Sequence, residues 1–456
     1  MGAFFCWVSS NYVKLLRTFF LNSRNNWRLN PPKSATMQAQ ALLTVPFDRV
    51  ATHARGFVGW VAELLLGPLA HQHTLLAVCP NSEAVTRAAL EAAAEVNAPL
   101  LFAATLNQVD LDGGYTGWTP ATLARFVADE LARLDLHIPV VLGLDHGGPW
   151  KKDLHARNRL SFAETVQAVL RAIEACLDAG YGLLHLDPTV DLELPPGTPV
   201  PIPRIVERTV ALLRHAETYR LRRNLPPVAY EVGTEEVGGG LQAEARMAEF
   251  LDRLWTALDR EGLPHPIFVV GDIGTRLDTR TFDFERACRL DALVRRYGAL
   301  IKGHYTDDVD RLDLYPKAGI GGANVGPGLA AIEFEALEVL VDEARRRGLS
   351  VTFDQAIRRA VVESGRWTKW LQPEEKGRPF EALDPERQRW LVATGSRYVW
   401  THPAVLQARR ELYEALAPWL DADAFVRERI KARLMDYFRA FNLIDFNERL
   451  KAFLPE

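Results

Sequence analysis

HTLLAVC (73–79), SEAVTRAALEAAAEV (82–96) and PLLFAAT (99–105) decide the fold. The first and third are short apolar runs. The middle one is amphipathic and opens on a serine. Apolar runs without alternation read as strands buried on both faces, and such strands joined by helices build a parallel sheet. The same unit recurs down the chain. IPVVLGL (138–144), GLLHLD (182–187), VAYEVG (228–233), PIFVVG (266–271), ALIKGH (299–304) and KAGIGGANV (317–325) read as strands three to eight. Helical stretches follow at 120–134, 161–180, 202–220, 241–260, 282–298 and 329–347. Thr119 before Pro120, and Ser161 with Glu164 three residues on, are helix-start signals. Eight β-then-α units in order predict an α/β chain whose core is a closed (β/α)8 TIM barrel. An open doubly wound sheet would carry G-x-G-x-x-G after its first strand, and Cys79–Pro80 begins no such motif.

The barrel is expected over 73–349, preceded by a helical lead-in at 37–72 that caps its bottom. Residues 1–36, rich in Asn, Phe and Arg, read as a disordered or non-native N-terminal extension, with Met37 a natural beginning. Residues 350–456 are rich in Trp, Arg and Glu, with helical periodicity at 404–417 and 424–440. They predict an appended C-terminal helical region packed on the barrel or on a partner; an exposed apolar face there would imply a homo-oligomer.

With 456 residues, 48% hydrophobic, the chain can bury a large core, and its net charge of -4, with both signs mixed, argues against a nucleic-acid partner. No apolar run reaches the 18 residues of a membrane span. Cys6, Cys79, Cys176 and Cys288 form no CxxC pair, which fits a reducing, cytoplasmic setting.

Active sites of such barrels sit at the C-terminal ends of the strands, and those ends are unusually polar here. Asn107 and Gln108 follow strand two, Asp145 and His146 end strand three, and His185 and Asp187 share a face of strand four. Glu231 lies on strand five. Asp272 and Arg276 follow strand six, His304 and Tyr305 follow strand seven, and Asn324 lies on strand eight. Ionisable groups converging on one mouth are costly unless paired or bound to metal. A divalent metal is therefore expected, zinc, manganese or cobalt, with His146 and His304 as ligands and Glu231 and Asp272 as oxygen donors. Asp272 has Arg276 as an alternative partner, and Glu231 could serve as a base instead of a ligand.

Asp145 is the general acid/base candidate, with Glu231 and Asp272 as further catalytic carboxylates. His185 is expected to hydrogen-bond rather than ligate. Together with Asp187, Arg276, Tyr305 and Asn324 it is assigned to substrate binding, and Asn107 and Gln108 suit sugar hydroxyls. Gly113–Gly114 and Gly321–Gly322 could admit a phosphate, though plain turns explain them equally. Lys151–Lys152 and Lys302 could add positive charge, the first two reading equally well as solvated surface.

NQVDLDGGYTGWTP (107–120), GLDHGGP (143–149), HLDPT (185–189), EVGTE (231–235), GHYTDD (303–308) and NVGPGL (324–329) occur in order at successive strand ends. Over residues 70–440 the chain resembles the class II D-tagatose-1,6-bisphosphate aldolase non-catalytic subunit family. The resemblance implies a barrel related to metal-dependent aldolases, with His146 and His304 matching metal ligands and Asp145 a catalytic Asp. Asp272 stands where those aldolases place a further histidine, so the usual three-histidine zinc site is expected to be altered.

The wider family includes C4 epimerases that interconvert fructose-type and tagatose-type sugars. The reading favoured here is metal-dependent C4 epimerisation of a ketose or ketose phosphate by retro-aldol and aldol steps. The alternatives are an aldolase, or an accessory subunit in complex with a catalytic aldolase subunit. A sugar-binding protein without chemistry is a further rival.

Overall fold

A computed structural model describes residues 42–195, 197–234, 241, 243–277 and 280–455. The expected N-terminal extension, 1–36, lies outside them. Eight parallel strands close into a barrel in sequence order, each paired with its neighbours and β1 with β8. They are β1 (Leu75–Val78), β2 (Leu100–Thr105), β3 (Val140–Gly147), β4 (Leu183–Leu186), β5 (Ala229–Gly233), β6 (Phe268–Val270), β7 (Leu300–Gly303) and β8 (Gly322–Val325). The barrel interior and the space under the helices form one apolar core.

The helix-start signals act locally. Ser161 and Glu164 form a reciprocal capping box on Phe162–Asp178, and Thr119 with Thr122 does the same for Pro120–Arg133. Two expectations need correction. The eighth strand is four residues long and starts at Gly322, and Lys317, expected at its head, ends the short helix Leu314–Lys317. The third strand runs on to Gly147, and its register with β4 shifts between Leu144 and Gly147.

The ends of the barrel are covered differently. At the bottom, Leu42 C=O accepts the Val140 N–H, and the helix Gly56–Leu66 packs beside Pro227, just before β5. The C-terminal region contains Phe353–Ser364, Pro385–Gly395, Pro403–Leu416, Ala422–Ala440 and Phe446–Lys451. Ala422–Ala440 lies against the first and last outer helices, Glu83–Glu95 and Pro327–Arg346. Val426, Ile430 and Leu434 are fully buried there, while Arg427 and Lys431 reach Glu91 and Glu95. The apolar face of this helix is therefore used within the chain.

Candidate metal and sugar site

The site is built where β3 departs from regular pleating. On a strand, consecutive side chains point to opposite faces, so Asp145 and His146 should diverge. The register shift and the left-handed backbone of His146 (φ 49°) turn both toward the same mouth. Bulges commonly re-aim side chains beside active sites in this way.

The ligand atoms of Asp145, His146, His185 and His304 lie within 4.8 Å of one another. His146 and His304 have ring centroids 5.0 Å apart; His146 and His185, 4.7 Å. His146 Nδ1 pairs with Asp187 Oδ2 at 2.6 Å, leaving Nε2 as its ligating nitrogen. Asp187 is itself held by Lys151 Nζ at 2.6 Å and by the Thr189 hydroxyl. A carboxylate behind a ligating imidazole is the usual support for a metal-bound histidine.

His185 tests whether a cation fits. Its Nε2 is 3.0 Å from the Gly233 carbonyl, which only accepts, so Nε2 carries a proton. Its Nδ1 takes the His146 amide hydrogen at 3.2 Å. Asp145 Oδ1 stands 2.9 Å from the same Nδ1, so the carboxylate and the amide converge on the one in-plane site of that nitrogen. That contact is repulsive unless a proton or a cation lies at it. Glu231 Oε1 and Asn324 Oδ1, both buried, have no hydrogen bond among the described residues. Glu231 Oε1 is 3.4 Å from His304 Nε2. The donor set of three imidazoles and carboxylate oxygens suits a divalent metal.

Electrostatics keep the acids ionised despite burial. Desolvation opposes the charge on Asp145, yet His146, His304 and His185 hold its carboxyl well below the usual range. Desolvation likewise opposes Glu231, but Lys302, 2.6 Å away, leads the groups that bring it to about 2. Asn324 Nδ2 donates to Asp145 Oδ2 at 3.2 Å.

Several sequence expectations are corrected. Asp272 does not join the cluster: Arg276 at 2.9 Å and Arg286 at 3.2 Å hold it, and His185 from β4 comes to the cluster instead. Asn107 and Gln108 line the cavity, but their amides serve the protein. Asn107 Oδ1 accepts the Asp153 N–H, and Gln108 bridges the Thr105 N–H and Asn81. Lys151 and Lys152 are not surface groups, since both are buried in ion pairs. A Cβ at Gly114 would lie 2.3 Å from the Gln108 carbonyl oxygen, and one at Gly321 would meet the Leu300 side chain at 2.7 Å. These glycines relieve crowding against protein atoms.

The cluster opens into a cavity of about 250 Å³. Asp145, His146, His304, Tyr305 and Asn324 line it from the barrel. The opposite wall was not foreseen: Arg366, Lys369, Trp370, Arg397 and Tyr398 come from the C-terminal region. Their sequence signal was faint, an arginine beside an aromatic at 366–367 and again at 397–398.

Fold and site together define a TIM-barrel protein with a buried histidine–aspartate cluster able to coordinate a divalent metal. Residues 69–253 match the model of a family described as D-tagatose-1,6-bisphosphate aldolase subunit GatZ/KbaZ-like. The matched range holds Asp145, His146, His185 and Glu231, while His304 and Asn324 lie beyond it. A probable tagatose 6 phosphate kinase from Sinorhizobium meliloti 1021 is 25% identical, with a TM-score of 0.68 over 80% of this chain and 100% of that one. A fructose-bisphosphate aldolase from Campylobacter jejuni is 13% identical, with a TM-score of 0.51 over 85% of this chain and 93% of its own, a likeness of fold. Among the described residues no helix is long and apolar enough to cross a membrane.

Proposed function

We propose that this chain is a metal-dependent lyase of the aldolase type acting on a ketose phosphate of the tagatose or fructose kind. The observation that carries the reading is the Asp145–His146–His185–His304 cluster at the open end of the barrel. The family description of the matched segment and the sugar phosphate named for the Sinorhizobium protein support the substrate class.

His146, His185 and His304 would hold the cation, which would supply a Lewis acid at the ketose carbonyl. Asp145 takes the proton of the C4 hydroxyl as the C3–C4 bond breaks. Asn324 fixes one of its oxygens and leaves the other facing the cluster. Glu231, kept ionised by Lys302, adds negative charge at the cluster's edge. If the aldehyde fragment leaves, the outcome is aldol cleavage. If it is retained, turns and recombines, C4 is inverted, so the same residues serve epimerisation.

The matched family is described as an aldolase subunit, which favours a second reading: an accessory chain that works in a complex with a separate catalytic aldolase. Against a purely structural role stands the cost of burying so many ionisable groups at one mouth.

The test uses the purified chain alone with tagatose 1,6-bisphosphate and fructose 6-phosphate, with Zn²⁺, Mn²⁺, Co²⁺ or EDTA. Triose phosphates that vanish with EDTA and in His304→Ala support the lyase; a C4 epimer with the same dependence identifies the epimerase. No conversion with any metal overturns independent catalysis and leaves the accessory reading.

A further inference from the structure

The cations lining the cavity are not equivalent. Lys151 pairs with Asp187, and Arg366 and Lys369 both pair with Asp153. Arg397 has no carboxylate within 4.0 Å among the described residues, although it is only 4% exposed. Its hydrogen bonds run to neutral acceptors, the Thr394 carbonyl and the Tyr398 hydroxyl. The rings of Tyr398 and Trp370 lie 4.4 and 5.0 Å from its guanidinium carbon and fix its plane. A buried charge is stable when paired, and a rigid guanidinium fork matches a phosphate or carboxylate.

The place where barrels usually bind phosphate, beside strands seven and eight, is already filled. Asp307 Oδ1 accepts the Gly326 N–H at 2.6 Å and the Gly328 N–H at 2.8 Å, at the start of the helix Pro327–Arg346. A second anion there would meet a carboxylate. An anionic substrate group must bind elsewhere in the cavity.

We propose that Arg397 is the anchor for an anionic group of the substrate, so that the C-terminal helical region completes the sugar site and sets its preference for acidic sugars. The proposal rests on the sugar-site reading above, but not on its reaction. Arg397 is a substrate-binding residue in this account, held by Trp370 and Tyr398.

Binding measured without turnover separates the two. Calorimetric titrations of the full chain with fructose 6-phosphate, a hexuronate and free fructose should show both anions binding at least ten times more tightly than fructose. Preference for one anion tells phosphate from carboxylate as the group bound. Inorganic phosphate should compete with fructose 6-phosphate. In Arg397→Gln the preference should collapse, with fructose binding unchanged; Arg397→Lys should recover part of it. Hydrogen–deuterium exchange on the unaltered protein is the second readout, should the variants fail to fold. Fructose 6-phosphate should protect residues 394–400, and free fructose should not.

Equal affinity for charged and neutral sugars overturns the proposal, as does a folded Arg397→Gln that keeps the preference. So does exchange without charge-dependent protection; Arg397 would then merely offset Asp307. Anion binding without conversion would sink the lyase and leave Arg397 standing. Cleavage of the ketose phosphate by a protein that binds charged and neutral sugars equally would do the reverse.

Discussion

His185 Nδ1 stands 2.9 Å from Asp145 Oδ1, joining adjacent strands β3 and β4 at the mouth of the barrel. Both groups are buried, and with Nε2 donating to the Gly233 carbonyl, the Asp145 carboxylate and the His146 amide share the single in-plane site of Nδ1. The arrangement calls for a cation or a proton between them. The third nitrogen of the cluster thus comes from strand four, while the acid at strand six is tied to two arginines.

Metal affinity should follow that geometry. His185→Ala is expected to weaken binding of zinc or manganese by at least about tenfold. Asp272→Asn should leave it unchanged, because Asp272 lies outside the cluster. Metal content by elemental analysis and competition with a chromogenic chelator would check this. Equal loss in both variants would place a ligand at strand six after all.

Lys302 and Glu231 form a fully buried pair 2.6 Å apart. Removing one partner strands the other charge, so Lys302→Met should cost roughly 3–5 kcal/mol of stability. The double variant Lys302→Met/Glu231→Gln should recover much of that loss. In the native protein the Glu231 carboxyl is depressed from an ordinary 4.5 to about 2. A depressed acid contributes stability above its unfolded value, so this contribution is present above about pH 4.5 and fades as pH falls toward 2. Denaturant melts of the native protein and the two variants at pH 7 and pH 3.5 would read it.

Asp307 behaves in the opposite sense. Burial raises its carboxyl to about 6, although the Gly326 and Gly328 amides favour the charged form. Its folded value exceeds its unfolded one, so its contribution to stability falls as pH rises from about 4 to 6. Asp307→Asn keeps an oxygen for the two amides and loses the charge. It should flatten the stability profile in that window and raise stability at pH 7 by on the order of 1–3 kcal/mol. A thermal-melt series from pH 4 to 8 is the measurement; an unaltered slope would contradict it.

Gly148 is a steric requirement. A Cβ there would fall 1.9 Å from the Asp187 carbonyl oxygen, with backbone on both sides of the contact. Gly148→Ala should force the end of β3 away from β4 and cost several kcal/mol, on the order of other severe core clashes. It should also weaken metal binding, since Asp187 supports His146. Normal stability in this variant would show that the loop relaxes freely.

The sequence by itself determined the barrel. Uninterrupted apolar strands such as LLAV and helices capped by Ser161 or Thr119 are local or short-period features, and eight repeats of one unit leave a closed parallel sheet as the economical way to bury them. It also located the polar strand ends, and therefore Asp145, His146, Glu231 and His304, because side chains at those ends share one mouth. The pairing of charges was beyond it. Whether Asp272 faced a cluster or Arg276, and whether His185 faced the core or the mouth, depended on the bulge at His146 and on distances across the barrel. The cationic wall was decided by tertiary structure alone. Arg366 and Arg397 reach the site because Pro385–Gly395 and the turn Ser396–Tyr398 pack directly on the last barrel helix, Pro327–Arg346, a long-range packing that no local pattern in 350–456 encodes.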